Sequence, residues 1–180
     1  MFIKTLPSGL IIKEVSAEEY HSMLQPHFSR TFSNRVNDYR PVEIDMESKK
    51  RISERNKVSK FHLRLVVLLN NELVGWHTGY EQNAETYYMQ NSAVLEKYRN
   101  QKIYSQLLDV VLDRIQSEGF QVVLSTHHPH NSAVLIPKLR RGFFIAGMHF
   151  DERFRSLVEL KYLFNEERRK NYFKSLGLEL

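Results

Sequence analysis

Cysteine is absent from the chain, which excludes disulfides and thiolate chemistry and removes the commonest structural zinc ligands. Such a sequence fits a reducing compartment. Long hydrophobic runs are missing too: nowhere do about 18 uninterrupted apolar residues appear, the length that a membrane-spanning helix needs. The opening stretch, MFIKTLPSGLIIKEV, holds no apolar run of signal-peptide length. The expected location is therefore cytoplasmic, with no membrane partner. There is no internal repeat or low-complexity tract, and with 42% hydrophobic and 26% charged residues disorder is not the default reading. The 180 residues are expected to form one domain, 1–180, that buries about 70% of its unfolded-chain surface.

What is present in excess is positive charge. The net charge of +5 favours anionic partners through long-range steering, and a nucleotide cofactor and nucleic acid both qualify. The strongest basic run, KKRISERNKVSK (Lys49–Lys60), is interrupted by Glu54 and offset by Glu43, Asp45 and Glu47, so it reads as a solvated helix face. Basic and aromatic residues do not interleave as a nucleic-acid surface requires. Nucleic acid is thus the disfavoured partner.

Along the chain, two short strand-like runs flank the turn signal Pro7-Ser8-Gly9 and make a hairpin or a bent edge strand. Ser16 and Glu19 form a capping box, so a helix begins at Ala17 and is expected to end before Pro26. Val42 to Lys57 reads as a largely charged helix with Ile44, Met46 and Ile52 turned inward. Phe61–Leu69 and Leu73–Gln82 are two arms of a hairpin across Asn70-Asn71, a pair that tolerates left-handed backbone angles. Gly75 and Gly79 are candidate bulge sites.

The chain is organised around Thr86–Leu112. TYYMQNSAVL reads as a buried strand, and KIYSQLLDVVL as a helix with Ile103, Leu107, Val110, Val111 and Ile115 on one face. Between them, EKYRNQ leaves the first helical N–H groups beside an arginine and the positive end of the dipole, which makes an anion site. Gly119 stops the helix and Phe120–Thr126 follows as a strand, so the unit is a right-handed parallel crossover. The fold class is α/β (α+β). His127, His128 and His130 cluster around Pro129, and three histidines in four residues cannot all converge on one ion without strain, so no metal is assigned. Asn131 is placed to cap a helix that Pro137 interrupts and Gly142 ends. Phe143–Asp151 and Arg153–Phe164 pair as strands, and Asn165-Glu166-Glu167 opens a terminal helix followed by Gly177.

The run VLEKYRNQKIYSQLL (Val94–Leu108) resembles the acyl-CoA signature of the GNAT N-acetyltransferase superfamily, in which a strand ends in an apolar pair and arginine opens the pattern R-x-x-G-x-G/A. Downstream, NSAVLIPKLRRGFFIAG resembles the second signature, an asparagine eleven residues before a Gly-Phe pair. This resemblance spans Phe61 to Phe164. It implies the GNAT fold: a mixed, mostly antiparallel central sheet whose parallel strand–helix–strand crossover splays at the cofactor cleft. It further implies a variable acceptor-side part at 1–60, a core at 61–164 and a C-terminal helix at 165–180. Acetyl-CoA is then the expected co-substrate, bound by Val94, Leu95, Arg99, Gln101, Lys102, Ile103, Tyr104, Ser105 and Asn131. Phe28, Phe32 and Tyr39 are candidates for the acceptor pocket, or else plain core residues.

Three departures from the family pattern bear on chemistry. Lys102 and Tyr104 stand where glycine or alanine is usual; Lys138 occupies the place of a general-acid tyrosine; and Tyr88 stands where some relatives carry a catalytic glutamate. The resemblance implies direct attack of an amine on the thioester. The candidates for moving its proton are His77, Glu81, Tyr88 and His128, and those for supplying one to the thiolate are Tyr104 and Lys138. His77 reads first as a satisfied sheet histidine, since only geometry could establish a base. The acceptor is a small-molecule amine or a protein amine, a homodimer is compatible with the sequence, and the alternative function is an acyl-CoA-binding protein with weak or no turnover.

Overall fold

The computed structural model describes residues 2–32, 43–56 and 60–178. β1 (Ile3–Thr5) and β2 (Ile11–Glu14) form the expected hairpin, followed by α1 (Ala17–Thr31) and α2 (Met46–Asn56). Then come β3 (His62–Leu69), β4 (Glu72–Asn83) and β5 (Thr86–Val94), a 3-10 turn at Glu96–Tyr98, α3 (Ile103–Ser117) and β6 (Val122–His127). The chain finishes with α4 (Ser132–Arg140), β7 (Phe144–Asp151), β8 (Arg155–Leu163) and α5 (Glu166–Ser175). The eight strands make one sheet in the order β1-β2-β3-β4-β5-β6-β8-β7. Every pairing is antiparallel except β5 with β6.

α3 lies on one face of the sheet. Its residues Ile103, Leu107, Leu108, Val110, Val111, Leu112 and Ile115 are buried against Leu63, Leu65, Val67, Tyr87 and Met89, as the helical stripe in the sequence requires. α1 covers the other face, where Tyr20 and Leu24 pack with Val66 and Trp76. α5 seats Tyr172 and Phe173 on Phe144.

The capping box is as expected, with Ser16 Oγ accepting from Glu19 N and Glu19 accepting from Ser16 N. The end of that helix is not. α1 runs through Pro26 to Thr31, because beyond the proline the Phe28 ring meets Phe32 at 4.9 Å and Phe32 meets Trp76 at 6.2 Å. These contacts hold the last turn against the sheet and outweigh the one hydrogen bond that proline cannot make. α2 corrects a second expectation: Ile44, Met46 and Ile52 are 45%, 78% and 39% exposed rather than turned inward. The segment MESKKRISERN holds only two apolar residues and so presents no stripe to bury; Asp45 instead caps it by accepting from Ser48 N. Val42, Lys57 and Tyr39 lie outside the described residues.

Asn70 and Asn71 take φ of 50° and 62° and close the β3–β4 hairpin. Both candidate bulge glycines sit at register shifts, Gly75 opposite Val67 and Gly79 opposite Met89. At Gly79 the reason is close approach: a Cβ there would stand 2.3 Å from Tyr87 Oη and 2.5 Å from the Tyr88 carbonyl oxygen. Gly79→Ala should therefore destabilise the protein by about 1–3 kcal/mol through overpacking, read as a lower urea midpoint with an unchanged m-value.

Candidate active site

The parallel ladder between β5 and β6 consists of Thr86↔Val122, Tyr87↔Val123 and Tyr88↔Leu124, and goes no further. β5 then carries an extra residue, Gln90, between the pairs Met89↔Gly79 and Asn91↔Thr78, and such a bulge bends its strand. β6 meanwhile stays paired to β8 as far as His127↔Val158. The two strands therefore part after Tyr88 and Leu124, leaving a fork that opens toward Val94 and His127.

At the wide end of the fork, the chain leaves β5 and enters α3 through a loop in which Asn100 and Lys102 hold φ of 63° and 59°. Lys102 is the N-cap residue and makes no side-chain cap bond. The first intrahelical bond runs from Gln106 N to Lys102 O, so the amides of Ile103, Tyr104 and Ser105 precede the ladder and face outward. Arg99 and Lys102 are exposed beside them. Arg99 Nε donates to Val94 O at 3.4 Å and Gln101 Nε2 to Lys97 O at 3.4 Å. Lys97 and Tyr98 both bond Glu72, which ties the turn to β4.

The Tyr104 ring turns into the main core, and its hydroxyl is buried without a partner among the described residues. It therefore does not stand over the loop. Val94 packs on the α3 side and Leu95 on the α1 side, with Leu95 N bonded to Val74 O. Amides, dipole and two cations suit an anion such as a diphosphate, so these residues fit a nucleotide-tailed acyl carrier.

At the closed end of the fork lies Lys138, on α4 and fully buried. Its Nζ donates to Ser125 Oγ at 2.6 Å and to Met89 Sδ at 3.4 Å, and stands 3.1 Å from His127 Nε2. Met89 and Ser125 are the first residues of β5 and β6 beyond the last ladder pair. The lysine's other neighbour is the Phe143 ring, 5.1 Å away. Its partners are thus a hydroxyl, an imidazole, a thioether and an aromatic face, and burial pushes its pKa down from 10.5 to about 7. His127, held by Ser125 Oγ at 3.1 Å, is pushed far down by burial and then by the Lys138 charge.

The remaining candidates are spread out. His77 is buried in the sheet, with Nδ1 paired to Ser92 Oγ at 2.7 Å and Nε2 to Tyr87 Oη at 2.8 Å. Burial, and next the Lys138 charge, push it down to about 3, so it is neutral at ordinary pH. Tyr88 lies on the α1 face, where its hydroxyl bonds Thr126 Oγ1 at 2.7 Å across the fork. Tyr80 and His62 continue that aromatic row at 5.4 and 5.7 Å. Glu81 accepts from Phe61 N at 3.3 Å. His128 stacks on His130 and edges Phe154, away from the inward-turned His127. Among the described residues, no group of three or more His, Asp or Glu side chains is placed to hold a metal ion. Asn131 takes the N-cap position of α4 but its side chain makes no cap bond, contrary to the expectation from its residue type.

Ser125 and Thr126 were not singled out in the sequence. The alternation Val123, Ser125, His127 along β6 is the signal that places Ser125 beside His127. A recess of about 500 Å³ between β1, β2 and the far end of α3 is bounded by the Lys4–Asp113 and Arg114–Glu14 ion pairs, and holds none of these groups.

The lysine's displacement fixes a pH dependence of stability. Between about pH 7 and 10.5 the unfolded chain holds the Lys138 proton and the folded one releases it, so stability rises with pH across that window. It is lowest, and flat with respect to this group, below pH 7. Lys138→Met should remove that rise: the variant is more stable than wild type by roughly 3–5 kcal/mol near pH 6, and the advantage fades toward pH 10 in urea titrations.

A model of the acetyltransferase (GNAT) family matches residues 22–143, more than half of the chain. No curated protein matches. Among solved structures, a GNAT-family acetyltransferase from Streptococcus pneumoniae shares 17% identity with a TM-score of 0.64, over 87% of this chain and 99% of that one. The ribosomal-protein-S18-alanine N-acetyltransferase of Escherichia coli shares 12% at 0.61, over 87% and 94%. RimL, a ribosomal L7/L12 alpha-N-protein acetyltransferase solved with coenzyme A, shares 13% at 0.66, over 90% and 98%. At such identities the structures establish the fold, and it is the family model that establishes kinship. This protein is an acyltransferase and belongs to the acetyltransferase (GNAT) family.

Proposed function

We propose that the protein moves an acetyl group from acetyl-CoA to a primary amine by direct attack, with Lys138 supplying the proton that the departing sulfur needs. The observation that supports this reading is the fork itself: unpaired helix amides with two exposed cations at its open end and a titratable amine, Lys138 Nζ, between Met89 and Ser125 at its closed end. Bound acetyl-CoA supplies the activated thioester. Arg99, Lys102 and the amides of Ile103, Tyr104 and Ser105 take the diphosphate, Gln101 borders it, and Val94, Leu95 and Asn131 flank the arm that runs into the fork.

Lys138, with its pKa near 7, holds its proton in about half of the molecules at neutral pH, which is the condition for efficient proton donation. When protonated it is a buried cation that touches no carboxylate among the described residues, so its field favours the negative charge that develops on the substrate. Direct attack also needs a neutral acceptor, and an alkylammonium is about 99.9% protonated at pH 7. On the α1 face the paired hydroxyls of Tyr88 and Thr126, bordered by Tyr80, can relay that proton to solvent water. His128, on the β6–α4 loop, packs instead on His130 and Phe154. His77, with both nitrogens occupied, serves the sheet. The acceptor is a small-molecule amine or a protein amine.

Calorimetry with CoA followed by thiol release over a panel of amines tests the reading. Arg99→Glu should weaken CoA binding by roughly tenfold or more, the worth of one charge-assisted bond, and Asn131→Ala should weaken it less. Lys138→Met should lower kcat by about a hundredfold or more while leaving CoA affinity within a small factor. Binding without thiol release from any amine would instead mark a CoA-binding protein that has lost turnover.

A further inference from the structure

We propose that Lys138 is also a self-acylation site, its Nζ taking the acetyl group from bound acetyl-CoA when no external amine is present. The inference rests on the functional reading above, since it needs the thioester to enter the fork. Its physical basis is placement. Nζ touches Met89 on β5 and Ser125 on β6 at the level where the two strands first separate, so an acyl group carried down the fork meets this amine at its end. Among the described residues no carboxylate touches it, so the ammonium form has no opposite charge to hold it and burial disfavours it. A neutral primary amine is the class of nucleophile that the transfer reaction consumes.

In this step the Nζ lone pair attacks the thioester carbonyl carbon. The N–C amide bond forms as the C–S bond breaks, and the surplus proton on nitrogen passes to the departing sulfur, giving acetylated Lys138 and CoA thiol. The product amide is neutral and keeps one N–H for Ser125 Oγ, so burial favours it over the charged lysine. An acetylated Lys138 can no longer deliver a proton. Turnover therefore falls as the modification accumulates, and an acceptor amine protects by taking the acetyl group first.

The experiment is incubation of the full chain with acetyl-CoA alone, followed by intact-mass measurement and peptide mapping. The expected result is one acetyl group per chain at Lys138, formed well ahead of any at the exposed Lys97 and Lys102. At pH 7 the neutral fraction of an ordinary lysine is on the order of a thousandth of that of Lys138, so an initial rate about a hundredfold above the exposed sites is expected. Label at Lys138 should be lost in urea-unfolded protein, and added amine should suppress it. Mapping is done on the wild-type chain, so the result does not hang on whether Lys138→Arg folds; where that variant does fold, its peptide should carry no acetyl group. Unmodified Lys138 in protein that binds CoA by calorimetry overturns self-acylation alone, whereas failure to bind CoA overturns the functional reading with it. Label confined to exposed lysines, or equal in folded and unfolded chains, shows random chemical acylation and also overturns the proposal.

Discussion

The ladder between β5 and β6 holds for three residue pairs and then stops, because the two strands answer to different neighbours. β5 follows β4 through a bulge at Gln90, opposite Gly79 and Thr78, and is bent by it. β6 follows β8 without interruption. A parallel pair has no hairpin to keep its ends together, so when the outer partners diverge the pair opens. The gap leaves backbone groups of both strands without a ladder partner, and groups of this kind are not left unmade at no cost. A ligand arm with polar atoms along its length is the natural occupant of such a gap.

The bend depends on a small residue. Gly79 has no side chain because the Tyr87 ring crosses over it to reach His77. The buried Tyr87–His77–Ser92 chain then satisfies three polar groups that would otherwise be stranded in the core. Lys102 shows the opposite choice. Its φ of 59° lies where a non-glycine residue carries a penalty of about 1–2 kcal/mol, and glycine would sit there more easily. In exchange for that strain, an ammonium stands beside the unpaired amides of α3. Among the described residues Arg155 alone shares this choice, at the same φ of 59°, the rest at positive φ being glycine or asparagine; strain at a turn that sets a cation beside unpaired amides is consistent with a binding role for the side chain.

Features decided by neighbours in sequence were legible, and features decided by packing were not. The α3 stripe, the Ser16 capping box and the Asn70-Asn71 turn each follow from residues within one or two turns of one another. α1 passes Pro26 because Phe32 finds Trp76, more than forty positions away, and no local rule contains that contact. Ile44, Met46 and Ile52 suggested an inward face, but a helix with so few apolar residues has nothing to anchor it. At the site, a turn that leaves the first amides of α3 unpaired beside Arg99 and Lys102 was readable from strand, polar loop and helix in succession. The setting of Lys138 was not, since a lysine between Pro137 and Leu139 carries no mark of full burial, and Ser125 hid within an apolar strand.

A buried lysine differs from a tyrosine, the residue the family resemblance leads one to expect here, in a definite direction. Burial drives a phenol upward, as it does for Tyr87 and Tyr104 in this chain, and so makes it a poorer acid at neutral pH. The same burial drives an amine downward, toward the pH at which it both holds and yields a proton. Its surroundings suit either state. As an ammonium, Nζ has three protons for Ser125 Oγ, His127 Nε2 and Met89 Sδ. As an amine it keeps two of these contacts, and the Ser125 hydroxyl can rotate to donate to the lone pair. Neither state needs the backbone to move, so the proton on Lys138 can leave and return within a fixed site, and in the proposed reactions that proton decides whether the group serves as an acid or as a nucleophile.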